Sequence, residues 1–439
     1  MPLPPGPRTP PSYNLIHFAV RPLETLRAWH SRYGNVFTVK FTVFGTGVYV
    51  ADPDAIRLLF TGDQSDLLAG EANSFMSPVL GARSVLVLDG PEHLRQRKLL
   101  LPPFHGEAVQ RYVEMIAEVA EREIDRWPVG EPFALAPRMQ AVTLDVIMRG
   151  VFGIAGKPVP GTTEHRMRQT IRRLLAASTH PLYQLIELRH ASSREPKGVL
   201  AVLLGIVDRQ MYAVIRERRA AADRADRDDV LSLLLGARDE HGAPLTDQEL
   251  RDELMSLVLA GHETTANSLA WTYERLLRTP AAYDRLRESV RSGDRERGQE
   301  YVEATIHEAM RNRPVIPMIV RMVKRPWRFG DYVLPAGTPV AVSIVALHHR
   351  ADVYPEPHAF RPERFLGRKP GSYTWIPFGG GIRRCLGATL AMAEQRVVLK
   401  EIAKRVDLQI TDAPGERPRQ RNVTSIPSDG GTVTVVSRS

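Results

Sequence analysis

Cysteine is almost absent: Cys385 is the only one in 439 residues. No internal disulfide can form, so the fold must rest on packing, and a reducing compartment such as the cytoplasm suits the chain. Long apolar runs are missing from the N-terminus. The opening MPLPPGPRTPPSYNLIHF has no stretch long enough for a signal peptide or a membrane span, and its prolines predict an irregular segment over residues 1–20. A chain with no membrane anchor is expected. Aromatic residues are sparse, and no stacking aromatics or recognised binding motif accompany the net charge of +9. Most arginines instead alternate with acids, as in ESVRSGDRERGQE, which is the pattern of a solvated helical face. Nucleic acid is therefore set aside as a partner. Internal repeats, a P-loop, a G-x-G-x-x-G loop and any linker between independent domains are also lacking.

What is present is ample apolar material, 43% of residues, arranged mainly at helical spacing. Helical patterns cover 106–126, 138–152, 164–177, 199–222, 246–279, 299–312 and 386–406. VFTVKF and GVYVAD, on either side of Gly45, predict a hairpin. A strand-rich patch is expected over 327–347, and DGGTVTVVS reads as an edge strand closing the chain. The fold class is mainly α with small β-sheets (α+β), in one domain over 1–439. Thr246 and Glu249 form a capping box, and Thr279-Pro280 ends the run, giving a helix of about 33 residues and roughly 50 Å that must cross the interior.

Chemistry concentrates in FGGGIRRCLG, residues 378–387. Gly379, Gly380 and Gly381 permit positive φ and close approach of another body, and Gly387 removes a side chain two residues beyond the sulfur. A helix starts directly afterwards, and Arg383 and Arg384 add positive charge, so thiolate is favoured over thiol. An inert core residue, a nucleophile and a metal ligand are all open readings for such a cysteine. A second stretch, AGHETTA at 260–266, lies midway along the long helix. Gly261 costs about 1 kcal/mol there against alanine. Either it lets a neighbouring helix approach, or Thr264 and Thr265 bond back to Ala260 and Gly261 and open a polar notch. The pairs His262-Glu263 and His307-Glu308 both begin the zinc-peptidase pattern H-E-x-x-H, but Ala266 and Arg311 stand where the second histidine is required. A zinc peptidase is excluded.

Phe378, Gly379, Gly381, Arg383, Cys385 and Gly387 together resemble the haem-binding loop F-G-x-G-x-R-x-C-x-G of the cytochromes P450, the haem-thiolate monooxygenases. The resemblance extends along the chain in consistent order. AGHET resembles the oxygen-activation motif A-G-x-[DE]-T, HEAMR the E-x-x-R motif, Phe360–Phe365 the F-x-P-E-R-F motif, and His93 with Arg97 the H-x-x-x-R pattern. It implies the cytochrome P450 fold, with haem b between the long helix (about 246–279) and the Cys385 loop. Cys385 would be the axial ligand of the haem iron. Glu263 and Thr264 would relay protons to dioxygen, with Ala260 and Gly261 leaving room for it. Glu308, Arg311 and Arg364 would form a structural network, while His93, Arg97, Arg321 and Arg383 would meet the haem propionates.

Further implications concern partners. Arg95, Lys98 and Arg384 would form a basic face for an acidic ferredoxin or flavodoxin, itself reduced by an NAD(P)H-dependent reductase. The substrate pocket would draw on Phe75, Val79, Leu257, Val315, Ile316, Met318, Ile319 and Ile426, with Met76, Leu80 and Val258 nearby. This lining suits a small lipophilic guest such as a terpenoid or a fatty-acid-like compound, to be hydroxylated or epoxidised using O2. The expected protein is a cytoplasmic monomer. Three rivals stand beside it. A peroxide-driven relative typically lacks the acid and alcohol pair, a haem-based sensor needs no proton relay, and a cysteine hydrolase leaves Glu308, Arg311 and Arg364 unexplained.

Overall fold

Proline begins the first two helices of the chain, Pro11–Val20 and Pro22–Tyr33. The expectation of an irregular N-terminus is corrected here. At the first helical position the missing N–H would have lacked a partner anyway, and the fixed φ of proline suits the helix. Residues 3–42, 45–154, 159–178 and 195–438 are described by the computed structural model. They are mainly helical with small sheets, as the sequence patterns predict.

The long helix spans Asp247–Leu277. Its capping box forms as expected: the Thr246 N–H donates to Glu249 Oε2 at 2.7 Å, and the Glu249 N–H donates to Thr246 Oγ1 at 3.2 Å. Thr279-Pro280 ends it, and Pro280–Arg291 follows at once as a further helix.

Packing separates the chain into two compact units, Met1–Leu68 with Val113–Val142 and Glu263–Ser439, and Ala69–Tyr112 with Thr143–His262. The first holds every sheet found among the described residues. Its largest sheet has five strands in the order Val36–Phe41, Gly45–Val50, Pro339–Ser343, Met318–Val323 and Leu67–Leu68. The predicted hairpin is the antiparallel pair Val36↔Val50 to Phe41↔Gly45, and only the contact of Gly45–Val50 with Pro339–Ser343 is parallel. Val48, Val50, Val340 and Val342 turn inward to meet Ile56, Leu59 and Phe60 from the helix Pro53–Thr61.

Two strand expectations change. The patch at 327–347 contains three short strands and then a helix, Ile344–His348, because the Ser343 side chain accepts the Ala346 N–H and caps it. Thr432–Arg438 is the middle of a three-stranded sheet between Pro132–Ala134 and Val406–Ile410, with Val433 and Val435 fully buried. It is not an edge strand.

In the second unit, the loop before the helix Gly90–Leu100 is fastened to successive turns of the long helix. Arg251 donates to the Leu80 carbonyl at 3.0 Å, Ser84 and Ser256 share a hydrogen bond of 2.6 Å, and the Val85 N–H donates to Glu253 at 2.8 Å. Gly198–Ala220 buries Leu200, Leu204, Val207, Met211 and Ile215 along one stripe. Among the described residues it is also the one helix long and apolar enough to cross a membrane by length and composition.

Candidate functional site

The cysteine loop closes on itself, since the Cys385 N–H donates to the Phe378 carbonyl at 3.0 Å and the Arg384 N–H to the Gly381 carbonyl at 3.1 Å. Gly379 and Gly381 take φ of +66° and +63°, where a side chain would be strained. Packing adds a second demand. A Cβ on Gly380 would lie 2.2 Å from the Phe60 ring, and one on Gly381 2.2 Å from the Phe60 carbonyl, so the glycines seat the loop directly on the helix Pro53–Thr61. Beyond the loop, Gly387 is the N-cap of the helix Ala388–Arg405, and no atom lies within 4 Å of where its Cβ would be. Cys385 is thus exposed at the positive end of an 18-residue helix.

This donor set suits haem. Among the described residues no group of three His, Cys, Asp or Glu side chains could hold a metal ion. A single thiolate can hold a metal only when that metal brings most of its ligands with it, as iron in a porphyrin does.

The segment leading into the loop is pinned by the expected network. Glu308 and Arg311 are fully buried, and the guanidinium grips both carboxylate oxygens, Nε to Oε2 at 2.7 Å and Nη2 to Oε1 at 2.8 Å. Arg311 also donates to the carbonyls of His348, Pro357 and Ala359 at 2.8, 2.8 and 3.2 Å. Arg364 stands 3.4 Å from Glu308 Oε1, and the Arg361 N–H donates to that oxygen at 2.8 Å. His348 accepts the Ile376 N–H at 3.0 Å, while Trp375 donates to the His307 carbonyl at 3.0 Å. Burial, with Arg311 nearby, pushes His348 down to about 3, so it accepts as a neutral ring.

On the long helix, Ala260 is exposed, and Leu257, Gly261 and Thr264 on its face are half-buried, whereas Val258, His262, Thr265 and Ala266 are buried. Gly261 has a packing reason as well, because a Cβ there would lie 3.0 Å from Ile147 Cδ1. Thr143 Oγ1 donates to the His262 carbonyl at 2.9 Å. Glu263 is held from a hairpin that the sequence reading did not identify. Arg421 Nε donates to Glu263 Oε1 at 2.6 Å, and Thr424 Oγ1 lies 3.0 Å from the same oxygen. That hairpin, Pro418–Arg421 with Thr424–Pro427, turns through Asn422 and Val423, and its short strands carry little alternation to signal them.

Arg321, Arg383 and Cys385 belong to the first unit, and His93 and Arg97 to the second. Arg321 and His93 are buried, so neither is a surface side chain. Arg95 departs from its expected part in a basic face. It donates to Asp239 at 2.6 Å and Glu249 at 2.7 Å, which balances its charge internally and holds Asp239 down to about 2. Lys98 reaches Glu240 at 3.2 Å on the surface, and Arg384 is exposed. Of the expected pocket residues, Phe75 is exposed and Val315 is buried, while Val79, Leu257, Ile316, Met318, Ile319 and Ile426 are half-buried. The Ser425 N–H donates to the Val315 carbonyl at 2.7 Å, tying the segment 315–319 to the hairpin that carries Ile426.

Residues 3–435 match the family model described as Cytochrome P450. Two relatives from Mycobacterium tuberculosis (strain ATCC 25618 / H37Rv), whose names carry the cytochrome P450 numbers 135B1 and 138, are 41% and 37% identical to this chain. The alignments cover 99% of this chain in both cases, and 92% and 97% of the relatives. Among solved structures, the heme domain of cytochrome P450DA superposes with a TM-score of 0.84 at 24% identity, covering 100% of this chain and 98% of that one. The retinoic-acid-bound cyanobacterial CYP120A1 gives 0.81 at 22% identity with both chains covered completely. These two likenesses bear on the fold, and the match along the sequence bears on membership: the chain belongs to the cytochrome P450 family of haem-thiolate monooxygenases.

Proposed function

We propose that the protein inserts one oxygen atom of O2 into a small lipophilic substrate, a terpenoid or fatty-acid-like compound, and releases the other as water. Two electrons and two protons balance each turnover. The electrons come from a ferredoxin or flavodoxin reduced by an NAD(P)H-dependent reductase in the cytoplasm. The observation that carries this reading is the exposed Cys385, set in a closed glycine loop at the start of a helix. Haem b, held there by the thiolate, would supply the oxygen-activating chemistry of the family.

The chain's own residues do the rest. Cys385 would hold the iron, and His93, Arg97, Arg321 and Arg383 would receive the propionates. Glu308, Arg311 and Arg364 keep the segment before Phe378 in place, so that the sulfur does not drift. Glu263 takes up a proton and passes it to Thr264, whose Oγ1 accepts one proton as it gives up another. Ala260 and Gly261 leave space beside that hydroxyl. Leu257, Val315, Ile316, Met318, Ile319 and Ile426, with Phe75 and Val79 from the loop before the Gly90 helix, present apolar surface to the guest and keep bulk water from it.

The test is an absorption spectrum of the purified protein, reduced with dithionite and exposed to carbon monoxide. Wild type should give the strongly red-shifted Soret band of thiolate ligation, and Cys385→Ser should lose it. An unchanged band in the variant would rule Cys385 out as the ligand.

A further inference from the structure

We infer that the hairpin Pro418–Arg421/Thr424–Pro427 positions the proton-delivering acid, with Arg421 and Thr424 clamping one oxygen of Glu263 and leaving the other to exchange protons. The inference rests on the reading of Glu263 proposed above. It starts from an asymmetry between two arginine–glutamate pairs in the same unit. Arg311 engages both oxygens of Glu308, the fork-on-fork arrangement that uses up a carboxylate. Arg421 places Nε and Nη2 on the same oxygen of Glu263, each at 2.6 Å, and the Thr424 hydroxyl reaches that oxygen too. Among the described contacts, Oε2 of Glu263 receives none.

A carboxylate held in this way differs from one in a structural pair. An ionised carboxylate offers about four lone-pair sites, and these three contacts crowd onto the two of Oε1. A proton therefore binds and leaves at Oε2. The pair is also sheltered, with side-chain exposures of 17% for Arg421 and 21% for Glu263, so it is no mobile surface ion pair of negligible worth.

The hairpin is built to hold this geometry. Arg421 and Thr424 are its closing register pair, so both contacts come from the tip of one turn. Asn422 takes φ of +51°, a left-handed conformation that asparagine tolerates, and its carbonyl accepts from Gln420 at 2.8 Å. Behind the tip, Trp271 donates to the Ser425 carbonyl at 3.1 Å. Trp271 lies about two turns along the helix from Glu263, roughly 12 Å. The hairpin thus grips one helix at two points, and a guest pressing on Ile426, two residues past Thr424, bears on the seat of the acid.

The test uses haem-loaded protein with a plant-type ferredoxin, its reductase and dodecanoic acid as the lipophilic probe, and follows NADPH oxidation in H2O and D2O. Glu263→Gln should slow oxidation roughly tenfold or more and raise the solvent isotope effect. Arg421→Met should do the same. Arg421→Lys should recover most of the rate, because a contact to one oxygen needs only a point charge. A second measurement asks whether the pair exists at all. In urea, Glu263→Gln and Arg421→Met should each lower the unfolding midpoint, and the double variant should fall no further than the worse single one. Additive midpoints would overturn the clamp. So would an Arg421→Met enzyme with wild-type rate and isotope effect beside a slow Glu263→Gln. A Glu263→Gln enzyme at full rate would instead sink the reading of Glu263 as the acid, and the clamp with it.

Discussion

Glu394 and His348 are buried groups whose titration contributes to how stability depends on pH. Glu394 lies on the helix Ala388–Arg405, 4% exposed, and Oε1 has no hydrogen-bond partner among the described residues. Burial pushes it up to about 8 from an ordinary 4.5. Between those values the folded state holds a proton that the unfolded chain has released, so this contribution to stability declines as pH rises from about 4.5 to about 8. His348 acts in the opposite sense: it is pushed down to about 3 from 6.5, so stability declines as pH falls below 6.5. Where the two ranges overlap, from about 4.5 to 6.5, these two contributions oppose each other with equal slope and cancel. Glu394→Gln removes the opposing slope, so stability of the variant should rise from about pH 4.5 to 6.5 and stay level above it, gaining about 2 kcal/mol relative to wild type between pH 6.5 and 8. Melting curves at both pH values check this, and the variant should gain about 2 °C more at pH 8. The closed glycine loop around Cys385 and the Glu308–Arg311 pair were legible in the sequence because their patterns lie within a few positions. The grip of Arg421 on Glu263 spans 158 residues and leaves no local trace.

Elements were legible wherever one periodicity ran long enough, as in Asp247–Leu277 with its capping box. They were misread where a single residue reverses the local rule, as Pro11 and Pro22 do by starting helices and Ser343 does by capping one inside an apparent strand. Thr432–Arg438 alternates like an edge strand, and only its partners show that it is central. In the cysteine loop the family pattern omits Gly380, yet contact with Phe60 makes it as demanding as the glycines on either side. Gly380→Ala should therefore unseat the loop, because overpacking against a buried ring costs about 1–3 kcal/mol. The loss should appear as a lower melting temperature and reduced haem content after purification. Gly387→Ala is the control for folding. Its φ is −83° and no protein atom lies beside it, so the melting temperature of the haem-free protein should stay within the error of wild type. Equal destabilisation by both changes would mean that backbone freedom, rather than contact with Phe60, fixes the loop.

For the whole molecule the net charge of +9 says less than where the charges are balanced. The sequence placed Arg95, Lys98 and Arg384 on one docking face because all three are basic and stand in segments that share a role in the family. Folding distinguishes them, since two carboxylates that are distant in sequence neutralise Arg95. Arg384 is exposed next to Cys385, with no ion pair among the described residues. Steering of an acidic partner depends on such uncompensated charge and is screened over about 10 Å at 0.1 M salt. Arg384→Glu should therefore raise the ferredoxin concentration needed for half-maximal NADPH oxidation by roughly threefold or more at low salt. The difference should shrink at high salt, while the rate at saturating ferredoxin stays near wild type. Arg95→Gln should behave differently, lowering the melting temperature by leaving Asp239 and Glu249 without their cation and keeping the wild-type dependence on ferredoxin. If Arg95→Gln also raised that concentration in a salt-dependent way, the paired arginine would still be felt by the partner, and net charge rather than local balance would govern docking.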